Sequence, residues 1–309
     1  MGQASRLAEA CQAGRPGTTS KAIVREVRLT PVVTTIVECR TAVAAAKKAG
    51  QTVGFVPTMG ALHEGHAALV RSAKAKTGYV VVSIFVNPTQ FGPNEDFHRY
   101  PRTLESDRSL CAAAGADLIF APTPAEMYPE FSVAVVDVPK LDEKLEGPSR
   151  PGHFRGVCTV VLKLFNIVIP DLAVFGQKDA QQARIIRQMV RDLNVPVTVQ
   201  IDPTVREPDG LAMSSRNRYL SPEQRTAAPA IYRALAAIRE RALGGEIDVA
   251  RLESALAADL AAIPGARLDY ARIVDADTLD ALPRFDRPAL AVVAVFLGST
   301  RLIDNVLIP

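Results

Sequence analysis

The stretch that decides the fold is Pro57-Thr58-Met59-Gly60-Ala61-Leu62-His63-Glu64-Gly65-His66, which joins a strand pattern to a helix pattern. Residues 52–56 (TVGFV) are short, apolar and β-branched, whereas small and apolar residues recur at helical spacing over 67–73. The stretch therefore lies on a turn from a strand into a helix. The first backbone N–H groups of such a helix lack intrahelical partners and lie at the positive end of its dipole, which favours a bound phosphate.

His63 and His66 are three residues apart within this turn, so both imidazoles can reach one phosphate chain. A zinc-protease helix has the pattern His-Glu-x-x-His with its histidines four residues apart, so the spacing disfavours a metal site. Two purely structural histidines remain the alternative at this point. Gly60 and Gly65 permit a tight turn and the close approach of a ligand to the backbone.

Short apolar runs alternate with helical stretches over residues 52–202, which is typical of a parallel sheet covered by helices. We therefore expect an α/β fold, namely a Rossmann-like parallel sheet domain with helices on both faces. The run YVVVSIFV at 79–86 is almost continuously apolar, as in a strand buried on both sides. The candidate strands are 52–56, 79–86, 117–120, 172–175 and 197–201.

The chain divides into three parts by its pattern. Residues 1–26 are polar and contain glycine, so we expect an ill-ordered N-terminal extension. Residues 27–204 form the Rossmann-like domain, and residues 205–309 form a smaller C-terminal α+β domain that acts as a lid. That smaller domain carries Ala-rich helices at 222–243 and 249–263 and strands at 268–274 and 289–297. Its polar connection, residues 206–218, is placed to cover the crevice.

Composition narrows the function classes. A formal charge of +3 on 309 residues is small, which argues against nucleic acid as the main partner. Cys11, Cys39, Cys111 and Cys158 are scattered without a Cys-x-x-Cys pair, so a disulfide framework or zinc knuckle is not indicated. The chain lacks both a signal-peptide pattern and a run of about 18 apolar residues. We expect a soluble, cytoplasmic protein that does not enter the membrane.

Ligands of open α/β sheets bind beyond the carboxyl ends of the strands. Four polar segments follow candidate strands here: residues 57–66, 87–90, 176–182 and 203–206. Lys178 begins a helix, where a lysine meets the positive end of the dipole unless an anionic ligand is shared between them. We expect Lys178 at an exposed position of the crevice, and a solvated lysine beside Asp179 is the alternative.

The linker residues Ser214, Ser215 and Arg216 offer hydroxyls and a guanidinium group, which suit phosphate oxygens. A capped surface loop has the same composition, so the pattern alone is weak. Gln90 follows Asn87-Pro88 as a neutral amide that can hold a substrate or tie down a turn. The residue pattern does not choose between these two roles.

Several ordered motifs together resemble the pantothenate synthetase family over about residues 27–309. They are the histidine turn at 57–66 with SIFVNP (83–88), YPR (100–102), HFRGV (153–157), Lys178-Asp179 with Gln181-Gln182, and Glu207 with DGLAMSSRNRYL (209–220). The resemblance implies an ATP-dependent ligase that joins pantoate to β-alanine through a pantoyl-adenylate, releasing pyrophosphate and AMP. It also implies Mg²⁺ as a cofactor and a homodimer built through the larger domain.

The resemblance also implies roles for individual residues. His66 is the expected proton donor, His63 its partner on the phosphates, and Gln90 and Gln182 hold pantoate, with Gln90 also near β-alanine. The other expected catalytic groups are Lys178, Ser214, Ser215 and Arg216. The expected ATP-binding residues are Met59, Gly60, Ala61, Leu62, His63, Glu64, Gly65, His66, Gly176, Gln177, Lys178, Asp179, Val205, Met213, Ser214, Ser215 and Arg216.

Three positions depart from the expected family pattern. Gln177 and Ala180 stand where an acidic and a bulky aromatic residue are expected, and Ser106 stands where an acidic residue helps to hold the metal. Asp107 is then the remaining candidate metal ligand. Two rival functions stay open at this point: a related nucleotidyltransferase acting on another acid, and a non-catalytic nucleotide-sensing protein.

Overall fold

The computed structural model describes residues 29–93 and 95–309 and contains two sheets. The first is a six-stranded parallel sheet with helices on both faces, and the second is a three-stranded antiparallel sheet. The predicted fold class, a Rossmann-like sheet with a smaller C-terminal α+β part, is confirmed. The extension predicted over residues 1–26 lies outside the described residues.

The strands of the first sheet are β1 (Val32–Val33), β2 (Val53–Thr58), β3 (Tyr79–Ile84), β4 (Leu118–Phe120), β5 (Leu172–Gly176) and β6 (Thr198–Asp202). Their spatial order is β1-β4-β3-β2-β5-β6, and every neighbouring pair is parallel. The sequence predicted five of these strands to within two residues at each end. It did not predict β1, because two residues at a sheet edge are too few for a periodicity.

The helices around this sheet are α1 (Ile36–Lys48), α2 (Glu64–Lys76), α3 (Leu104–Ala114), α4 (Pro124–Met127), α5 (Glu146–Ser149), α6 (His153–Val168) and α7 (Ala180–Asp192). Alternate strand residues point to opposite faces. Phe55 packs with α1, α6 and α7 on one face, whereas Val56 packs with α2 and α3 on the other. Both faces of the central strands are therefore buried, as their apolar sequence requires.

The second sheet contains β7 (Ala266–Asp275), β8 (Ala289–Leu297) and β9 (Thr300–Ile308), paired in that order. Helices α8 (Pro222–Ala227), α9 (Ala230–Leu243) and α10 (Val249–Ala261) precede it, and the last two pack on one of its faces. Two predictions are corrected here. The single helix expected over 222–243 is two helices, because Pro229 precedes α9, and the sheet gains the unpredicted strand β9.

The C-terminal sheet contacts the first domain through the other face of β8. Leu290 and Val292 pack there with Ala180, the first residue of α7. The start of α7 is therefore covered by the C-terminal sheet, which matters for the site described below.

The strand order reverses beside β2, because the chain continues from β2 to β3 and β4 on one side and returns to β5 and β6 on the other. Such a reversal opens a crevice beyond the carboxyl ends of the two central strands. The histidine turn follows β2, and the Lys178 turn follows β5. The topology thus brings these two motifs together.

Within residues 29–93 and 95–309, no helix combines the length and the apolar character that crossing a membrane requires.

Candidate active site

The two histidines of the turn cap the helix that follows them. His63 is the N-cap of α2, and its Nδ1 accepts a hydrogen bond from the Gly65 N–H at 3.2 Å. Nδ1 of His66 accepts one from the His63 N–H at 3.3 Å. Because Nδ1 accepts in both rings, the neutral imidazoles carry their proton on Nε2. Each ring therefore has an Nε2–H group free to donate to a ligand.

Burial keeps both imidazoles neutral at physiological pH. Loss of solvation, reinforced by nearby Lys178, lowers the pKa of His63 to about 4. Loss of solvation and the neighbouring His63 lower the pKa of His66 to about 3. The ring centroids are only 4.1 Å apart, so two positive charges there would repel each other. The pair can donate hydrogen bonds to phosphate oxygens but holds no extra proton at neutral pH.

Asp107 supports the turn ahead of the histidines. Its carboxylate accepts hydrogen bonds from the N–H groups of Ala61 at 3.1 Å and Leu62 at 2.9 Å, and from the Thr103 hydroxyl at 3.2 Å. The residue is 1% exposed. The carboxylate of Asp107, the candidate metal ligand, therefore holds a turn in which Ala61 has a φ of 51°.

Lys178 lies in the 3₁₀ turn Gln177–Asp179 that leads from β5 into α7. Its ammonium group is 3.5 Å from the Asp179 carboxylate, and its side chain is 21% exposed. The expectation of an exposed position is therefore wrong, since the C-terminal sheet covers the start of α7. The nearby ammonium and Arg216 outweigh burial and hold the pKa of Asp179 below its usual value.

The serine- and arginine-containing segment packs against a loop of the first domain. The hydroxyls of Ser215 and Tyr100 are 3.3 Å apart, and Ser214 caps the 3₁₀ turn Ser215–Tyr219 through the Arg216 N–H. The Arg216 guanidinium donates to both oxygens of Asp96, at 3.1 and 2.9 Å. Arg216 therefore has a carboxylate partner for two of its N–H groups.

Gln90 ends a 3₁₀ turn after β3 and is held from several sides. Its Oε1 accepts from the Asn87 amide at 3.1 Å, which leaves its NH₂ group directed toward Met59 Sδ at 3.2 Å. Arg150 donates to His153 Nε2 at 2.8 Å, so the His153 proton is on Nδ1 and is donated to the Gln90 carbonyl at 2.8 Å. Gln90 thus presents an oriented donor at the strand exit.

A cavity of about 210 Å³ lies where these segments meet. The predicted residues that line it are Met59, His63, Gly65, His66, Gln90, Gly176, Lys178, Asp179, Gln182, Val205, Met213, Ser214, Ser215 and Arg216. The predicted residues that do not line it are Gly60, Ala61, Leu62, Glu64, Asp107 and Gln177. The first four of these belong to the histidine turn or to the first residue of α2.

A larger cavity of about 720 Å³ adjoins the first and extends toward the C-terminal sheet. The two cavities share Lys178, Asp179, Ser214 and Arg216. These four residues therefore form the wall between a smaller cavity at the strand ends and a larger one beside the C-terminal sheet.

Comparison with known proteins agrees with this geometry. The model of the family described as pantoate-beta-alanine ligase matches residues 31–307. The chain belongs to this family. The pantothenate synthetase of Moorella thermoacetica is 55% identical over 274 residues, which cover 89% of this chain and 97% of that protein.

Solved structures of the pantoate–β-alanine ligase family share the fold. The pantothenate synthetase of Thermus thermophilus is 52% identical, with a TM-score of 0.86 over 90% of this chain and 99% of that one. The pantoate-beta-alanine ligase of Francisella tularensis, crystallised in complex with β,γ-ATP and β-alanine, is 34% identical, with a TM-score of 0.73 over 90% and 97% of the two chains.

Two departures from the family pattern have structural partners in this chain. Gln177 donates to the Asn305 side chain at 2.8 Å and accepts from Arg184 at 2.8 Å, so both the NH₂ group and the oxygen of its side-chain amide are hydrogen-bonded. Ala180 lies in an apolar cluster with β8, where its small side chain admits the sheet. Ser106 is exposed and donates to the Thr103 carbonyl at 2.9 Å.

Sequence patterns did not single out all the residues that shape the site. Tyr100 and His153 lie in motifs that carried the resemblance, but no role was inferred for them. Asp96 is in an irregular segment, and Asn305 is on the unpredicted strand β9. Neither has a local signal, because the partners of both lie more than 100 residues away along the chain.

Proposed function

We propose that this protein catalyses the ATP-dependent condensation of pantoate with β-alanine to give pantothenate, AMP and pyrophosphate. Family membership supports the reaction, and the ATP analogue and β-alanine in the Francisella relative support both as ligands here. The observation that carries the proposal is the convergence of the His63–His66 turn, Lys178, Ser214–Arg216 and the two glutamines on one cavity at the strand reversal.

The chemistry divides into two steps. An oxygen of the pantoate carboxylate attacks the α-phosphorus of ATP, the bond to the β-phosphate bridging oxygen breaks, and pyrophosphate leaves. The β-alanine amine then attacks the acyl carbon, loses a proton to solvent, and AMP leaves with the former carboxylate oxygen. A carboxylate is already ionised at neutral pH, so the first step needs positioning and charge stabilisation more than a general base.

The histidines serve this step as hydrogen-bond donors. Their Nε2–H groups would bind phosphate oxygens beside the helix N-terminus, and the low pKa of both rings keeps that tautomer at neutral pH. His66 would be the proton donor, through its Nε2–H group, and His63 its partner on the phosphates. The remaining turn residues, residues 176–179, Val205 and Met213 would line the nucleotide.

Positive charge and hydroxyl groups at the wall between the cavities would stabilise the phosphates. Lys178 lies at the junction of the two cavities, where the α-phosphate of a bound nucleotide would be in reach. Ser214 and Ser215 would donate to phosphate oxygens. Arg216 would exchange its Asp96 partner for a phosphate, since both offer the same pair of acceptor oxygens.

The glutamines would bind pantoate. The oriented NH₂ group of Gln90 suits a carboxylate or hydroxyl oxygen, and Gln182 lies on the wall of the same cavity. Once the adenylate has formed, Gln90 would also face the incoming β-alanine. Two amide donors in one cavity would fix which carboxylate oxygen faces the nucleotide.

Mg²⁺ would be bound mainly through the nucleotide. Among the described residues there is no group of three or more His, Cys, Asp or Glu that could hold a metal by itself. Mg²⁺ usually keeps several waters and binds one or two carboxylates together with substrate phosphates, so this donor set fits an ion carried by ATP. It would screen the charges of the β- and γ-phosphates.

We also propose a homodimer that forms through residues 131–135 of the larger domain. Phe131, Val133 and Val135 are 87%, 85% and 63% exposed and recur at every second position of a segment outside the helices and strands. A contiguous exposed apolar patch marks a protein–protein contact site, and a second copy would bury this one. Sedimentation of Val133→Lys should give a monomer, whereas Val37→Lys, at a similarly exposed position on α1, should sediment as a dimer. Two dimeric variants would contradict this interface.

The remaining assignments are of location and movement. Cys39, Cys111 and Cys158 are buried and unpaired, which supports a reducing, cytoplasmic location, and fractionation of the source cells tests it.

We propose that residues 205–309 form the lid domain and close on ATP over the 27–204 domain. Small-angle scattering should then give a smaller radius of gyration with ATP and pantoate than without them.

The reaction is tested with purified protein, ATP, Mg²⁺ and pantoate, with and without β-alanine. We expect pantothenate and AMP in equal amounts with β-alanine, and about one pyrophosphate per site without it. Lys178→Ala should lower kcat about 10²- to 10³-fold, because charge stabilisation of the phosphates is lost. Lys48→Ala, at the exposed end of α1, should have the same kcat as the wild type. A folded sample that yields no pantothenate would refute the proposed reaction.

A further inference from the structure

Asn305 on β9 is a buried polar residue of the C-terminal sheet whose side chain reaches the first domain. It is 3% exposed. Its Nδ2 donates to the carbonyl oxygens of Gln177 at 3.0 Å and Lys178 at 2.9 Å, and its Oδ1 accepts from the Gln177 side chain at 2.8 Å. Every hydrogen bond of this amide therefore goes to the turn that carries Lys178.

The orientation of both amides in this chain of hydrogen bonds is determined by its two ends. Backbone carbonyls only accept, so the NH₂ group of Asn305 must face them and its oxygen must face Gln177. Arg184 only donates, so it must meet the oxygen of Gln177, whose NH₂ group then faces Asn305. The hydrogen bonds thus run in one direction, from Arg184 through Gln177 and Asn305 to the turn, and neither amide can be flipped.

The two carbonyls held by Asn305 belong to the peptide units on either side of the Lys178 Cα. Because peptide units are planar, fixing both leaves φ and ψ of Lys178 little freedom. The direction in which the Lys178 side chain leaves the backbone is therefore set from the C-terminal sheet. A 3₁₀ turn has weaker hydrogen bonds than an α-helix and gains more from such an outside support.

Asn305 is itself firmly anchored. Its backbone N–H donates to the Asp304 carboxylate at 2.7 Å, and Asp304 forms a two-bond ion pair with Arg206 at 2.6 and 2.9 Å. Within the sheet Asn305 is opposite Val292 of β8. The support is thus tied both to the central strand of the second sheet and to the connection between the domains.

We propose that Asn305 is a positioning residue, which aims the Lys178 ammonium at the reacting phosphate from the C-terminal domain. This inference rests on the proposed role of Lys178 in adenylate formation. It gives the C-terminal domain a part in the chemistry, because the Lys178 ammonium is held toward the phosphate only while β9 contacts the turn. A residue that only stabilised the domain contact would act on activity independently of Lys178.

The test is a double-mutant cycle measured on the full chain. Asn305→Leu keeps the branched shape and the number of side-chain heavy atoms and removes the three hydrogen bonds. It is compared with Lys178→Ala and with the double variant. Leu307→Ala, at an exposed position on the same strand, is the control with unchanged kcat. Single-turnover formation of AMP at high enzyme concentration keeps the slow variants measurable, and circular dichroism verifies folding.

We expect Asn305→Leu to lower kcat about 10- to 100-fold, because a displacement of about 1 Å at a reacting group can cost that much. KM for pantoate should change less than about twofold. In the Lys178→Ala background the same substitution should have almost no further effect, since no ammonium is left to position. If Asn305→Leu does not fold, Asn305→Ser, whose short hydroxyl cannot span both carbonyls, replaces it in the cycle.

Multiplicative losses of kcat in the double variant would overturn the inference and leave the proposed reaction intact. Wild-type kcat in folded Asn305→Leu would overturn it as well. A wild-type kcat in Lys178→Ala alone would instead remove the proposed role of Lys178, and the positioning role would fall with it. These outcomes are distinguished by which of the three variants loses activity.

Discussion

Gly156 on α6 offers a steric test of how Gln90, the proposed pantoate-binding residue, is positioned. A Cβ added at Gly156 would lie 2.4 Å from the Thr89 carbonyl oxygen and 2.8 Å from the Gln90 Cα. Ordinary contact begins at about 3.4 Å, so the helix and the Gln90 turn must separate by about 1 Å. Both neighbours are backbone atoms, so no flexible side chain can absorb the displacement.

The expected effect of Gly156→Ala is opposite to that of the same change in an open helix. Alanine in place of glycine normally stabilises a helix interior by about 1 kcal/mol. Overpacking against backbone costs about 1–3 kcal/mol, so we expect a net loss of unfolding free energy. Moving Gln90 by about 1 Å should also lower kcat/KM for pantoate about 100-fold.

Urea unfolding and steady-state assays of pantothenate formation measure both effects. Gly92→Ala is the matched control on the same side of the crevice, because its added Cβ meets only the Glu95 side chain, at 3.8 Å. The reasoning is refuted if Gly156→Ala is more stable than the wild type and turns over pantoate at the same rate.

Three further predictions concern stability. Asp107→Asn should cost about 1–3 kcal/mol of unfolding free energy, because the single oxygen of an amide cannot accept hydrogen bonds from all three donors. The Mg²⁺ dependence of turnover should stay unchanged, and a shifted Mg²⁺ dependence would support Asp107 as a metal ligand. Arg301→Met should cost about 3–5 kcal/mol by leaving the Glu146 carboxylate buried without its cation, and adding Glu146→Gln should recover part of this loss in urea unfolding. The free energy of unfolding should fall as the pH drops from 6.5 through about 4, because over this range His63, His66 and His153 bind protons in the unfolded chain but not in the folded one. Titration of the ring signals by NMR should assign the effect to these three residues. A flat pH profile over that range would contradict the last prediction.

The sequence predicted the parallel sheet and the place of the site because both depend on local patterns. The strand-to-helix turn at residues 57–66 shows in the change from a strand pattern to a helical one, and the carboxyl ends of parallel strands converge wherever such strands occur. The position of Lys178 at the start of α7 was predicted for the same reason.

The errors arise where distant residues decide the outcome. Lys178 is mostly buried because β9 covers its turn, and β9 was not predicted. The contact of the Asp107 carboxylate with the turn 45 residues earlier was not predicted either, and Asp107 stays a candidate metal ligand. Arg216 is paired with Asp96 across 120 residues. None of these contacts leaves a periodic signal in the chain.

The most direct test of the central claim follows the pantoate carboxylate oxygen. Pantoate labelled with ¹⁸O in its carboxylate is incubated with the protein, ATP, Mg²⁺ and β-alanine, and the products are analysed by mass spectrometry. Attack of the carboxylate on the α-phosphorus, followed by displacement of AMP, predicts one ¹⁸O atom in each AMP formed. Unlabelled AMP, or label in the pyrophosphate, would contradict the acyl-adenylate mechanism.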